Sequence, residues 1–267
     1  MSLKTIIDEI TAYIRENLHS IQSVQELAAY WGYSPYHFSR EFKRLTGFTI
    51  AQFMASLKME ISIEQLVKEN RSVLGSQLHA GFLSSGTFSA SFEKQTGITP
   101  KQYQKKLHSL HKVLLDYENC LESRVTSHYE PTGNEEQFYS CCVNLEYPPH
   151  GKPGITFVGL FRSPIPNHKP IVGKAMVGDS VCILDKIPPG EYYLLACSVE
   201  KNSALKEYFV LKNCLRGRIQ EGVRFPTHHR KIFSLSLRPP IDQDPPILVN
   251  LPQLLADSIK NRNLQEK

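Results

Sequence analysis

Near the start of the chain Ile6, Ile10, Ile14 and Leu18 recur every four residues, the apolar stripe of an amphipathic helix. Ser23-Val24-Gln25-Glu26 then has the form of a capping box, whose hydroxyl and carboxylate satisfy amide donors at a helix start. A short helix through Leu27, Ala28 and Tyr30 should follow, with Ala28 small enough for a neighbour to approach and Gly32 supplying the turn. Ser34 is placed to cap the next helix, and Pro35 sits in its first turn, where a missing N–H does no harm. Phe38, Phe42 and Leu45 fall at i, i+4 and i+7 and should face inward. Tyr36, Arg40 and Lys43 share the opposite side, with Ser39 and Arg44 flanking, and Gly47 suits the residue just past the helix. From Ile50 to about Lys68 no Gly or Pro intervenes, so one helix of about 28 Å is expected.

The same polar and apolar pattern then returns at an offset of 50 residues. Ser34, Phe38, Ser39, Phe42, Thr46, Gly47, Thr49 and Gln52 recur as Ser84, Phe88, Ser89, Phe92, Thr96, Gly97, Thr99 and Gln102, and Tyr103 answers Phe53. Each copy follows a Gly-aromatic pair, Gly32-Tyr33 or Gly81-Phe82. A repeat of this period is one supersecondary unit used twice; a short helix, a turn and a helix with aromatics at i and i+4 make it a helix-turn-helix. Two such units on a helix of roughly 28 Å suit successive major-groove faces about 34 Å apart. A spacer helix in a bundle, with solvated basic faces on two hairpins, would have the same sequence.

Past Tyr103 the helix should run to about Leu121. Leu107, Leu110, Leu114, Tyr117 and Leu121 alternate at three and four, a seam of about two heptads that could join a second chain or pack on its own domains. Glu130–Glu136 reads as a loop. Then short β-branched or aromatic runs appear, at Gly151–Phe161, Ser180–Ile187, Glu191–Val199 and Ile232–Leu237, punctuated by Pro and Gly. Phe233, Leu235 and Leu237 alternate with Ser234, Ser236 and Arg238, the period of a half-buried strand. The expected fold is multidomain: an all-α double helix-turn-helix domain over 1–108, a helical linker over 109–127, and a mainly antiparallel β-sandwich over 128–267 that ends in a helix at about Leu251–Lys260.

Composition narrows the function. The chain of 267 residues, 41% hydrophobic and 21% charged, has no run near a membrane span, and Met1-Ser2-Leu3-Lys4 opens no secretory signal, so a cytoplasmic location is expected. Residues 1–112 carry 13 Lys and Arg against 9 Asp and Glu, whereas 113–267 carry 18 against 17. The positive excess thus lies with the repeat, which fits nucleic-acid binding without being evidence enough by itself. The six Cys include no C-x-x-C pair and read as reduced thiols; alternation should send Cys141 inward and Cys142 outward, or the reverse. His228-His229-Arg230-Lys231 reads as an exposed basic loop, with an anion or metal site as the alternative, and Trp31 as core. No nucleophile elbow, phosphate loop or His-Glu-x-x-His occurs, so neither an enzyme nor a cofactor is expected.

Residues 3–107 resemble the two-motif DNA-binding domain of the AraC/XylS family of bacterial transcription regulators. The resemblance rests on Leu27-Ala28, Gly32-Tyr33-Ser34, Phe38-Ser39-Arg40-Glu41-Phe42-Lys43 and Thr46-Gly47. The second half adds Gly81-Phe82, Phe88-Ser89-Ala90-Ser91-Phe92, Thr96-Gly97-Ile98-Thr99-Pro100 and Tyr103. It implies base reading by Tyr36, Ser39, Arg40 and Ser89, and phosphate contacts from Lys43, Arg44, Lys94 and Lys101. The implied partners are double-stranded DNA and RNA polymerase, with a small-molecule effector or a homodimer served by the second domain. Members generally place the reader last; here it is first. The Pro-Cys-His-Arg setting of the family's DNA-repair methyltransferases does not occur. Ala90 stands where the family usually has Arg, Glu93 stands in place of a cation, and Ser76-Gln77 replaces an Ile-Ala pair. An Arg–guanine contact supplies about 1–3 kcal/mol of discrimination, so the first motif should dominate readout. The run Ile187-Pro188-Pro189-Gly190-Glu191-Tyr192 through Ala196 also resembles the strand start of transthyretin-like or carboxypeptidase-regulatory-like sandwiches.

Overall fold

The structure, a computed structural model, describes residues 3–21, 23–68, 72–120, 125–130, 137–149 and 153–265. Leu121, most of the expected loop Glu130–Glu136 and Gly151 lie outside the described residues. The helical half consists of α1 (Leu3–Glu16), α2 (Val24–Tyr30), α3 (Pro35–Thr46), α4 (Ile50–Val67), α5 (Val73–His79), α6 (Ser85–Thr96) and α7 (Pro100–Asn119). Local chemistry sets the ends. Ser23, Ser34, Ser72 and Ser84 cap α2, α3, α5 and α6, and Thr49 and Thr99 form reciprocal capping boxes with Gln52 and Gln102. Gly47 and Gly97 end both second helices at φ 90° and 83°, the left-handed conformation that any Cβ would strain.

The β half contains β1 (Thr126–Tyr129), β2 (Tyr139–Glu146), β3 (Pro153–Phe161), β4 (Val172–Val177), β5 (Val181–Ile187) and β6 (Gly190–Glu200). A short α8 (Leu205–Phe209), β7 (Leu215–Arg218), β8 (Val223–Phe225), β9 (Ile232–Ser236) and α9 (Leu251–Gln265) complete it. One sheet has the order β1-β4-β3-β6-β7, with β8 also on β6; the other is β5-β2-β9. Their pairings are antiparallel except β2 with β9, which run parallel. Pro188-Pro189 carries the chain from β5 in the small sheet to β6 in the large one.

The layers are three deep. Val143, Leu145, Leu184, Phe233 and Leu235 of the small sheet pack on Val158, Leu160, Met176 and Leu194 of the large one. The other side of the large sheet, through Ile155, Phe157, Phe161, Cys197 and Val199, packs on α7, α8, α9 and the second helix-turn-helix. Within that cluster Leu107, Leu110, Leu114 and Tyr117 of α7 are buried, so the heptad seam is covered by the molecule's own sheet. Tyr117 Oη donates to the Ala175 carbonyl at 2.7 Å, and buried Glu118 accepts from the Asn202 amide at 2.8 Å and from Tyr208 Oη. Helix α7 runs unbroken through position 108 into the stretch expected as a helical linker.

The two helix-turn-helix units therefore lie in different cores. The first, with Ile10, Phe38, Phe42, Phe48 and Phe53, keeps its own, into which the β half inserts, among the described residues, Ile165. The second shares its core with the sheet: Phe88, Phe92 and Tyr103 adjoin Tyr208 and Phe209. Helix α4 reaches both, through Phe53 and Leu57 to one and Met59, Ile63 and Leu66 to the other.

Candidate nucleic-acid interface

Helix α3 begins where the Ser34 hydroxyl accepts the His37 amide. Phe38 and Phe42, both fully buried, anchor one side. Their burial turns Tyr36, Arg40, Lys43 and Arg44 outward, all exposed, with Tyr36 at 76%, and leaves Ser39 half-buried between them. The Arg40 guanidinium lies over the Tyr36 ring at 5.7 Å. Glu41 holds both arginines in check: Arg44 Nε is 2.9 Å and Arg40 Nε 3.6 Å from its oxygens. The hydrogen bond from Arg44 keeps the Glu41 carboxyl below its ordinary value. Such exposed pairs exchange readily for a phosphate or a base edge.

Helix α6 repeats the frame and changes its surface. Ser84 caps Thr87, Phe88 and Phe92 are buried, Ser89 is half-buried, and Lys94 and, in α7, Lys101 are exposed. Yet the positions equivalent to Tyr36, Arg40 and Lys43 are Gly86, Ala90 and Glu93. The preceding turn absorbs its polar pair: buried Gln77 donates to the Phe82 carbonyl at 3.0 Å and buried Ser76 to the Ser72 carbonyl at 3.1 Å. Beside them stand Leu74, Leu78 and Leu83, exposed at 59%, 61% and 100%. Sequence reading passed over this apolar surface, although Leu74 and Leu78 stand four apart on a seven-residue helix.

The β half touches the carboxyl ends of both second helices and leaves the outward side of α3 open. Pro164 lies 3.7 Å from where a Cβ on Gly47 would be, and Arg218 Nη1 donates to the Thr46 carbonyl at 3.3 Å. At the other unit His168 Nδ1 is 2.8 Å from the Lys94 carbonyl. Arg15 ties α1 to the same half through the carbonyls of Asp242 and Asp244 at 3.0 and 2.5 Å. These contacts join residues 74 or more positions apart, and no local pattern announces them.

Other singled-out residues take structural places. Trp31 is half-buried at the margin of the first core rather than within it, edge-on to Tyr13 and Tyr30. His228 and His229 accept the amides of Arg224 and Ser140 on their Nδ1 atoms and pin a turn. Cys141 is buried and Cys142 half-buried, as alternation requires, and burial pushes the thiols of Cys141 and Cys182 up to about 12.

Residues 14–106 match the family model described as a helix-turn-helix domain. Over 101 residues the chain is 33% identical to the MmsAB operon regulatory protein of Pseudomonas aeruginosa, a match covering 38% of this chain and 33% of that one. It is 27% identical over 99 residues to the bifunctional transcriptional activator/DNA repair enzyme AdaA of Bacillus subtilis, covering 37% and 47%. The chain thus spans about a third and about half of the lengths of these two relatives. The multiple antibiotic resistance protein MarA of Escherichia coli is 31% identical over 98 residues, 37% of this chain and 77% of MarA. A match over most of MarA, carried by the same two units whose caps, glycine turns and paired phenylalanines the fold displays, shows that the chain belongs to the AraC/XylS family of DNA-binding transcription regulators.

Proposed function

We propose that the protein reads a specific duplex site mainly through Tyr36, Ser39 and Arg40, and that residues 128–267 sense a ligand or mediate assembly. The observation that carries this reading is the open outward side of α3, which keeps its aromatic, hydroxyl and guanidinium groups exposed while the β half packs on the helix's last turn. Lys43 and Arg44 supply phosphate contacts; Lys94 and Lys101 add weaker positioning, with Ser89 a minor reader. RNA polymerase is the proposed protein partner, and Leu74, Leu78 and Leu83 offer it an apolar surface on the second unit. That surface also favours a second reading, an interaction adaptor with a degenerate reader. The proposed location is cytoplasmic, and no enzymatic role is proposed: burial pushes the thiols of Cys141 and Cys182 up to about 12, while that of Cys214 is lowered by Cys197 and Arg216 but lies buried. A homodimer would have to use a surface other than the covered α7 seam.

Gel shifts on a selected duplex test the assignment. Arg40→Ala should cost about 1–3 kcal/mol and relax preference at one base pair, and Ser89→Ala should cost clearly less. Affinity should fall steeply with salt while the preference for one duplex persists. Equal losses at the two positions would overturn the asymmetry; no preferred duplex at any salt would favour the adaptor.

A further inference from the structure

Two cavities adjoin on the helix-facing side of the large sheet. The first, about 60 Å³, is walled by Phe157, Phe161, Leu195, Leu254 and Leu255 and is almost wholly apolar. The second, about 40 Å³, is lined by Arg216, Arg218, Arg238 and Asp244. Pro166, Leu195, Ala196 and Ile247 belong to both walls, so the two adjoin. Register explains the meeting of such different chemistries. Leu195 pairs with Arg218 and Cys197 with Arg216 across β6 and β7, and directly opposed residues project to the same side of a sheet.

The arginines differ in what holds them. Arg238 is committed to Asp244 by two bonds of 2.7 and 2.8 Å, and the Ile241 amide takes a further place on that carboxylate. Arg216 is buried; it donates to the carbonyls of Pro245 and Leu211, with the Lys212 carbonyl at 3.5 Å and Cys214 Sγ at 3.8 Å, and its Nε–H has no partner among the described residues. Arg218 donates to the Thr46 carbonyl. Neither Arg216 nor Arg218 forms an ion pair among the described residues. Asp244 acts on both from a distance, and so does buried Glu60 on Arg216, but neither acid touches them. A desolvated guanidinium without a counter-charge is costly, and a carboxylate that meets its N–H groups offsets that cost.

From this geometry we infer that the two adjoining cavities together bind a monocarboxylate with an apolar body, aromatic or of medium chain length. Its carboxylate meets Arg216 and Arg218, and its body lies against Phe157, Leu195 and Leu254. Each cavity exceeds the roughly 10–15 Å³ that a single water needs. The inference rests on the reading of residues 128–267 as a sensor and names its ligand class. It also supplies a route to the reader, because Arg218 would serve the ligand and the last turn of α3 with one guanidinium.

The test is calorimetric titration of the full chain with benzoate and octanoate, against benzamide, octanamide and inorganic phosphate. A carboxylate should bind at least tenfold more tightly than its amide. Arg218→Met should lose tenfold or more, and Ile247→Trp, which fills space at the wall both cavities share, should abolish binding, both with unchanged far-ultraviolet circular dichroism. The inference is overturned if neither carboxylate binds, if amides bind as tightly, if phosphate binds in preference, or if both variants bind like the parent chain. Gel shifts on the ligand-free chain report separately on the regulator: specific DNA binding without carboxylate binding sinks only this inference.

Discussion

Asp244 shows how much one side chain can hold together. It is 3% exposed, clamps Arg238 through its carboxylate and receives Arg15 of α1 on its carbonyl. Burial pushes its carboxyl up, but the bonds from Arg238 and the Ile241 amide outweigh burial and hold it below the ordinary value. A carboxyl lowered in the folded state stabilises above its unfolded value and loses that contribution as pH falls through the folded one. Asp244→Asn should therefore cost about 3 kcal/mol in urea unfolding near neutral pH, and the deficit should shrink once both chains are studied below the carboxylate range. A deficit constant with pH would show that shape, not charge, is what Asp244 contributes. At this scale the outward residues of α3 were legible, because helical arithmetic alone places Tyr36, Arg40 and Lys43 opposite Phe38 and Phe42. The unpaired state of Arg216 was not, since it depends on strands from distant parts of the chain.

Among elements, α7 is the one whose sequence most narrowed the answer and then left it open. Spacings of three and four marked Leu107, Leu110, Leu114 and Tyr117 as an apolar seam, and all four are buried. The same spacing serves a partner helix, a second chain or a sheet; only the register of Tyr117 on the Ala175 carbonyl, on β4, selects the sheet. Leu114→Ala, at a fully buried position, should cost about 2–5 kcal/mol, read as a lowered urea midpoint. A loss within error would mean that the seam is loosely packed. Four strands were anticipated within a residue or two of β3, β5, β6 and β9. β4, Val172–Val177, was overlooked because Gly173 and Lys174 interrupt its apolar run, and β7, Leu215–Arg218, because two of its four residues are arginines. The parallel pairing of β2 with β9 has no local signature, as the partners are some 90 residues apart.

At the scale of the molecule, the reader and the β half share a core rather than a tether. Met59, Ile63, Phe88 and Leu114 lie in one cluster with Phe157, Tyr208 and Leu255, and Ile165 enters the other. Ion pairs from Lys206 and Lys212 to Glu64 fasten the rim at 3.1 and 2.5 Å. Since α4 spans both cores, the first unit should unfold with the rest. Trp31, beside the first core, makes this measurable: its fluorescence and the far-ultraviolet circular dichroism should trace coincident urea transitions. A separate, earlier fluorescence change would show that the first unit melts on its own.

By itself the chain declared its repeat, the caps and glycine turns of each unit, the outward residues of α3, the altered surface residues of α6 and the presence of a β-rich second half. All of these follow from periodicity and from backbone chemistry that acts over four residues or fewer. Folding in three dimensions decided what lies against what: the sheet that covers α7, the loop that seats Pro164 and Ile165 on the first unit, and the meeting of Arg216 and Arg218 with an apolar hollow. Those outcomes depend on apolar burial, which rewards any close-packed partner and so cannot be assigned from one segment alone.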